Sequence, residues 1–334
     1  MDGEHGIARR TVLMSASAGL IAAAAPARAE DAKPGEIWSA EYWADKGSVK
    51  LNLWRKRVGA PKAGEKRPVL FLVHGSSFST RTSYDLQVPG NTDYSTMNLF
   101  AREGYDVWTM DHDGYGYSQS SGNNSDIASG VEDLKAAVAV VVRETGQQKL
   151  HFYGPSSGSI RAGAYAMAEP QHVDRLVLAA FTYKGEDSVE MDRRRKRVEE
   201  LRANNRRKRD ANMIRSVYTR DGHAEAYDPA LIEAIVSTEM KFGDSIPSGT
   251  YLDMAVNLPL VDPARVMSPV LMIRGEHDGN STNDDLLDFY RQLPNGDRQF
   301  VILPHTAHSL GYSKNRHLLW YVVKNFLAAP VATT

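Results

Sequence analysis

Continuous runs of apolar residues recur along the chain and alternate with stretches in which apolar residues repeat at helical spacing. Because a strand buried on both faces appears as an unbroken apolar run, we expect these runs to be interior strands. They lie at 68–73, 105–110, 149–155, 175–181, 269–273 and 299–303. The helical patterns lie at 94–103, 126–144, 160–167, 286–293 and 314–327. This alternation predicts the α/β fold class, a largely parallel sheet with helices on both faces.

Two stretches depart from this alternation. Residues 48–58 alternate apolar and polar side chains and predict a half-exposed strand near a sheet edge. Residues 183–264 contain no run typical of a buried strand, which indicates a helical insertion. We therefore divide the chain into a core of residues 30–182 and 265–334 and an insertion of residues 183–264.

Residues able to do chemistry follow the predicted strands. The carboxyl ends of parallel strands share one edge of a sheet, where sites form in such folds. Ser156 lies in the corner Gly154-Pro155-Ser156-Ser157-Gly158, between a strand and a helical pattern. The spacing is that of the nucleophile elbow G-x-S-x-G, although an ordinary turn rich in glycine and serine would have the same letters. The other residues at strand ends are His74, Asp111, Asp278 and His308.

The order Ser156, Asp278, His308 supplies a nucleophile, an orienting acid and a base. With the turns around them, these residues resemble the α/β-hydrolase superfamily over most of the chain after residue 29. The resemblance rests on His74-Gly75, Asp111-x-x-Gly114-x-Gly116-x-Ser118, the elbow, Gly275-x-x-Asp278 and His308. It implies a mostly parallel, eight-stranded type of sheet, and it makes residues 183–264 a helical cap.

The resemblance also implies a role for each site residue. Ser156 would attack a carbonyl carbon, His308 would take its proton, and Asp278 would orient the imidazole. The oxyanion hole would use the backbone N–H groups of Ser157 and Ser76, with Ser77 as the alternative to Ser76.

Other polar residues compete for these roles or suggest different ones. His305 is an alternative base and Glu276 an alternative acid. We expect His74 to brace the oxyanion loop, Asp111 and Asp113 to bond loop amides, and His151 to lie in the core or at its rim. The acidic loop 278–285 faintly suggests calcium but lacks the EF-hand spacing, so neither a metal nor a cofactor is expected.

The insertion contains a strongly basic segment. Residues 191–210 hold ten Lys and Arg and only four acids. One interpretation is a solvated helical face, and the other is a positive mouth that attracts anionic substrates or a membrane surface. The residues that could line a substrate pocket are Ser77, Phe78, Met213, Met240, Tyr251 and Met254.

Composition narrows the class of protein. The 334 residues carry a formal net charge of -1, so no overall basicity points to nucleic acid. The chain has no cysteine, which excludes disulfides and thiol chemistry.

Residues 1–29 have the pattern of an export signal. Arg9-Arg10 precede an alanine-rich run at 11–25, and Ala27-Arg28-Ala29 resembles a cleavage site. The run is shorter than the roughly 20 residues that span a bilayer, so no permanent membrane anchor is expected. We expect a twin-arginine signal and a periplasmic or secreted protein.

The sequence thus predicts a serine hydrolase that cleaves a carboxylic ester of a small to medium, partly apolar or aromatic compound. The same triad would also suit a lactone, an amide or the C–C bond of a diketone-type substrate. The alternative from another class is a non-catalytic binding protein on a hydrolase fold.

Overall fold

The computed structural model describes residues 35–88, 90–91 and 94–330. The predicted export signal, residues 1–29, lies outside the described residues.

Ten strands form in the described part of the chain. They are β1 (Ile37–Lys46), β2 (Val49–Val58), β3 (Val69–Val73), β4 (Asp106–Met110), β5 (Leu150–Pro155), β6 (Val173–Ala179), β7 (Arg206–Lys208), β8 (Ser245–Pro247), β9 (Val270–Gly275) and β10 (Arg298–Leu303). Eight of them build one sheet in the order β1-β2-β4-β3-β5-β6-β9-β10. Strand β2 pairs antiparallel with both of its neighbours, β1 and β4. All other neighbouring strands of this sheet pair in parallel. The predicted mostly parallel, eight-stranded α/β-hydrolase fold is confirmed.

Both faces of this sheet are covered by helices, and the described ranges contain eleven α-helices in all. They are α1 (Thr80–Tyr84), α2 (Thr96–Arg102), α3 (Ile127–Thr145), α4 (Ser157–Ala168), α5 (Val189–Arg195), α6 (Val198–Ala203), α7 (Ala211–Ser216), α8 (Pro229–Glu239), α9 (Gly249–Val256), α10 (Asn283–Gln292) and α11 (Arg316–Leu327). Alternate residues of β3 face opposite ways, so Phe71 belongs to the apolar cluster that includes residues of α3, α4 and α10, and Leu72 belongs to the cluster that includes residues of α2 and α11. Among the helices of the described ranges, none has both the length and the apolar character needed to cross a membrane.

Strand β2 differs from its prediction. The structure places β1 outside it at the sheet edge, and most side chains of β2 are buried. Its polar positions include Arg55 and Arg57, which bond to the buried carboxylate of Asp106 at 2.9 Å and 3.4 Å. The alternation predicted half-exposure because a sequence pattern does not show that an arginine has a buried carboxylate partner.

The insertion between β6 and β9 is not purely helical. It contains α5 to α9 and also a two-stranded antiparallel sheet of β7 and β8. Each of these strands has three residues, and β7 reads Arg206-Arg207-Lys208, so neither has the length or the apolar pattern that predicts a strand. Arg194, Arg220 and Tyr251 of the insertion line one cavity with Ser156, and residues 183–264 are called the cap below.

A buried ion pair fastens this cap to the core. Glu239, at the end of α8, is fully buried and pairs with Arg209. The same carboxylate accepts hydrogen bonds from the Ser79 amide at 2.7 Å and the Ser79 hydroxyl at 2.6 Å. Ser79 belongs to the loop after β3, so Glu239 joins the cap to the loop beside the site.

Glu239→Gln should destabilise the protein strongly, because it leaves the guanidinium of Arg209 buried without a counter-charge. Losing one partner of a buried pair costs about 3 kcal/mol or more. The matched control is Glu233→Gln on the same helix, which removes an exposed partner of Arg215 and should change stability little. Urea unfolding of both variants measures the difference, and equal midpoints would contradict this account of the cap.

Candidate active site

The turn from β5 to α4 places Ser156 at the edge of the sheet. Ser156 has φ +56° and ψ -131°, a backbone conformation that is strained for a residue with a side chain. The turn is tight because a Cβ at Gly154 would overlap the carbonyl of Gly158, and a Cβ at Gly158 would overlap the carbonyl of Val73. The glycines of the motif therefore allow the close approach that a nucleophile elbow requires.

The structure brings Ser156, His308 and Asp278 together. His308 Nε2 lies 3.0 Å from Ser156 Oγ, and His308 Nδ1 lies 2.9 Å from Asp278 Oδ1. Asp278 and His308 are both buried. Because a carboxylate accepts hydrogen bonds, Nδ1 carries the proton in this arrangement and Nε2 is left as the base facing the serine hydroxyl.

Electrostatics keep Asp278 ionised. Burial alone would raise the pKa of its carboxyl, but the charge and hydrogen bond of His308 and the amide of Asn280 outweigh burial and lower that pKa. The Asn280 amide donates to Asp278 Oδ1 at 2.9 Å. Its side-chain Nδ2 also lies 3.3 Å from His308 Nε2. Sequence reasoning missed Asn280, whose only signal was its position two residues after Asp278.

The predicted oxyanion loop packs directly on the elbow. A Cβ at Gly75 would lie 3.6 Å from the Cβ of Ser156, so this position also needs close backbone approach. His74 Nδ1 donates to the Gly75 carbonyl at 2.7 Å, as expected of a brace, and burial lowers the pKa of His74 well below its usual range. The carbonyl and N–H of one peptide unit point in opposite directions, so this bond turns the Ser76 N–H away from His74.

Two groups hold the next peptide unit of that loop. The Ser76 carbonyl accepts hydrogen bonds from Arg207 at 3.1 Å and from the Tyr115 hydroxyl at 3.3 Å. Ser157 is the first residue of α4, where the backbone N–H has no partner within the helix. Ser76, Ser77 and Ser157 thus all lie beside Ser156, and the structure leaves Ser76 and Ser77 as neighbouring alternatives for the second donor.

The competing residues lie elsewhere. The His305 side chain is 82% exposed, and its amide donates to Glu276. Glu276, His277 and His305 form a surface cluster whose nitrogen and oxygen atoms lie within 4.8 Å of one another. Asp111 accepts from the amides of Thr80 and Tyr117, and Asp113 accepts from that of Ser121, as expected of structural carboxylates. His151 is buried, also as expected.

A cavity of about 90 Å³ adjoins the triad. Of the predicted pocket residues, Ser77, Phe78 and Tyr251 line it. The other three, all methionines, are not among its lining residues. Met213 packs against an apolar cluster that includes Phe78, Met240 is exposed, and Met254 is buried with its sulfur against Arg194. The sequence does not show which apolar cap residues face the core of the cap and which face the cavity.

Positively charged side chains lie against the buried ring of Tyr251. The Cζ atoms of Arg207 and Arg194 lie 3.8 Å and 4.4 Å from the centre of its ring, and its hydroxyl is 3.4 Å from Ser77 Oγ. Burial would raise the pKa of the phenol, but the positive charges of Arg207, Arg194 and Arg220 prevail and lower it to about 6.

The fold and this arrangement of side chains define an α/β hydrolase. A sequence profile of the family described as "Serine aminopeptidase, S33" matches residues 90–314, and the chain belongs to that family.

Several characterised proteins are similar to parts of the chain. Lipase 3 of Drosophila melanogaster is 30% identical over 35% of this chain and 32% of its own length. The 2-hydroxy-6-oxononadienedioate/2-hydroxy-6-oxononatrienedioate hydrolase of Paraburkholderia phymatum is 32% identical over 36% of this chain and 39% of its own length. The chain thus matches well under half the length of these curated relatives.

A solved structure shares the fold over a greater length. The 2-hydroxy-6-oxo-6-phenylhexa-2,4-dienoate hydrolase of Rhodococcus sp. strain RHA1 has a TM-score of 0.62 and 17% identity. The similarity covers 88% of this chain and all of that one. At this identity the similarity shows the fold alone.

Tyr251 should ionise as the pH rises through about 6, because three guanidinium groups stabilise its phenolate. An ultraviolet titration should show one tyrosinate forming there in the wild type and none in Tyr251→Phe. Arg207→Gln removes a positive charge and should raise the midpoint, whereas Arg202→Gln, which changes an exposed arginine paired with Glu199, should leave it unchanged. Identical titrations of wild type and Tyr251→Phe would contradict the assignment.

Proposed function

We propose that the protein is a serine hydrolase that cleaves a small carboxylic ester through an acyl-enzyme. The observation that carries this proposal is the continuous chain of contacts from Ser156 Oγ to His308 and on to Asp278, which opens on a cavity. Membership of a serine hydrolase family supports it.

The geometry suits acyl transfer. His308 Nε2 takes the proton as Ser156 Oγ attacks the ester carbonyl, and the N–H of Ser157 and one from the Ser76–Ser77 loop receive the developing oxyanion. His308 then protonates the departing alcohol. In the second half a water molecule gives its proton to His308 and attacks the acyl-enzyme, and Ser156 leaves as the free hydroxyl. Asp278 stabilises the imidazolium formed in both halves.

The cavity favours a compact, partly aromatic substrate. Pockets for drug-sized ligands measure about 300–1,000 Å³, so a volume of about 90 Å³ suits a smaller compound. Aromatic side chains contribute much of the lining, namely Phe78, Tyr84, Tyr153, Tyr251, Tyr312 and Trp320.

Hydrolysis of a C–C bond is the second candidate. It is favoured by the similarity to the Paraburkholderia phymatum hydrolase, whose name describes a 2-hydroxy-6-oxo dioate substrate. Product analysis separates the two reactions. Ester cleavage releases an alcohol and an acid, whereas neither product of C–C cleavage of a diketone-type compound is a released alcohol.

Ser156→Ala should abolish turnover of small p-nitrophenyl esters, since loss of the nucleophile in such triads costs about a million-fold in kcat. It should also prevent labelling by a fluorophosphonate probe. Ser157→Ala is the matched control, because it removes a buried hydroxyl that has no hydrogen-bond partner and keeps the backbone N–H. Activity should then stay near that of the wild type. Labelling that survives Ser156→Ala, or an inactive Ser157→Ala beside an active Ser156→Ala, would refute the assignment.

We also propose that the protein is exported and acts in the periplasm or outside the cell. Arg9-Arg10 and the alanine-rich run after them support this proposal. Protein from a periplasmic extract should begin at Glu30, and replacing both arginines with lysine should retain it in the cytoplasm. A chain that still begins at Met1 in the cytoplasmic fraction of wild-type cells would disprove export.

A further inference from the structure

The basic segment at 191–210 divides into two groups of side chains. Four of its exposed members pair with the four acids of the same segment, as the solvated-face interpretation expects. These pairs are Arg195–Asp192 at 2.8 Å, Arg197–Glu200 at 2.7 Å, Arg202–Glu199 at 3.4 Å and Lys208–Asp210 at 3.2 Å. The pairing uses every acid of the segment, so its remaining bases must find partners elsewhere.

Two of the remaining bases point inward and meet a third arginine. Arg194 on α5 and Arg207 on β7 are 5% and 6% exposed. Both lie against the ring of Tyr251, and Arg220, which follows α7, adds its charge to the same phenol. Arg194 and Arg220 line the cavity together with Ser156 and His308. Three guanidinium groups therefore surround one side of the space where a substrate would react.

Two of these arginines, Arg194 and Arg207, meet neutral hydrogen-bond acceptors. The closest contacts of the Arg194 guanidinium are the sulfurs of Met254 at 2.9 Å and Met191 at 3.9 Å. Arg207 donates to the neutral carbonyl of Ser76. Across the described ranges, neither has a carboxylate within 4.0 Å.

Arg220 differs from them: burial alone would lower its pKa, but the negative charges of Tyr251, Glu190, Asp221 and Asp278 outweigh burial and raise that pKa. It reaches Glu190 at 4.0 Å, and Glu190 also pairs with Arg193. It also donates to the neutral side-chain oxygen of Asn280 at 3.3 Å. Within the part of the chain that the structure describes, the Nε atoms of Arg207 and Arg220 have no hydrogen-bond partner.

A buried cation without a partner is costly, so such groups in native proteins are paired or bind a ligand. Burial lowers the pKa of Arg194 to about 10, so it remains charged at neutral pH. The Tyr251 phenolate supplies at most one negative charge to Arg194 and Arg207 together. Among the described residues, Arg194 therefore remains a buried cation without a carboxylate partner in the cavity wall beside Ser156.

We propose that Arg194 and Arg220, with Arg207 behind them, bind a carboxylate on the substrate. This inference rests on the proposed ester hydrolysis and names its substrate class, a small ester that carries a second, ionised carboxyl group. A guanidinium fork matches the two oxygens of a carboxylate. A carboxylate is also compact enough for the cavity, whose aromatic side is left to hold the uncharged part of the compound.

Two pairs of esters test the proposal, each pair differing only in a carboxylate replaced by a carboxamide. Monoethyl glutarate and ethyl glutaramate place the group on the acyl side, and 4-acetoxybenzoate and 4-acetoxybenzamide place it on the alcohol side. In at least one pair the wild type should prefer the anion by about 100-fold in kcat/KM, the size expected of charge-assisted hydrogen bonds.

Arg194→Met is the informative variant, because methionine keeps an apolar contact with the sulfurs around it and removes the charge. It should reduce the preference for the anion about tenfold or more, mainly by raising the KM of the anionic ester. Arg194→Lys should restore part of the preference. The matched control is Arg202→Met, whose exposed arginine pairs only with Glu199, and it should keep the full preference.

Failure of this proposal is distinguishable from failure of the proposed function. A wild type that hydrolyses the neutral esters without preferring the anions overturns the carboxylate subsite and leaves the serine hydrolase intact. If no ester is hydrolysed, calorimetric binding of monoethyl glutarate and ethyl glutaramate to Ser156→Ala decides. Tighter binding of the anion that is lost in the Arg194→Met double variant supports the subsite, and equal binding of both compounds overturns it.

Discussion

The close approach of α4 to the ends of β3 and β5 is the constraint on which the site depends. Gly158 leaves no room for a Cβ beside the Val73 carbonyl, and Gly154 leaves none beside Gly158. This contact forces the positive φ of Ser156 and puts its side chain at the sheet edge. It also brings Gly75 against the elbow, so the nucleophile and the oxyanion loop are fixed by one backbone packing arrangement. Such strain persists only where surrounding structure over-determines it.

The sequence predicted the parts of the protein whose physics is local. Interior strands such as β3 and β4 are continuous apolar runs, and α3 ends at a glycine with φ +68°. Ser156, Asp278 and His308 followed from strand order, because a parallel sheet gathers the ends of its strands at one edge. Strand β1 was missed because its mixed pattern, IWSAEYWADK, lacks a buried run, although ten-residue pairing with β2 makes it a regular edge strand.

What the sequence could not predict depends on contacts between distant segments. Counting ten bases against four acids in residues 191–210 gave two interpretations of the whole segment, whereas its side chains are divided between exposed and buried positions. Arg195 and Arg202 are solvated and paired, whereas Arg194 and Arg207 are buried near Tyr251. No local pattern separates adjacent arginines of this kind. Asn280 escaped notice for the same reason, because its contact with His308 joins residues 28 positions apart.

Arg207 contacts both the cap and the loop that follows β3. Its guanidinium lies over the Tyr251 ring and donates to the Ser76 carbonyl, so one buried cation both contributes to the positive side of the cavity and holds the oxyanion loop. Glu239 fixes the cap in place by joining Arg209 to Ser79, three residues after Ser76. In the proposed reaction, substrate recognition by the cap and stabilisation of the oxyanion would therefore both depend on Arg207. An anion bound between Arg194 and Arg220 would reduce the repulsion between these two arginines and Arg207, which donates to the loop at Ser76. Binding the charged part of a substrate would then stabilise the loop geometry needed at its ester group.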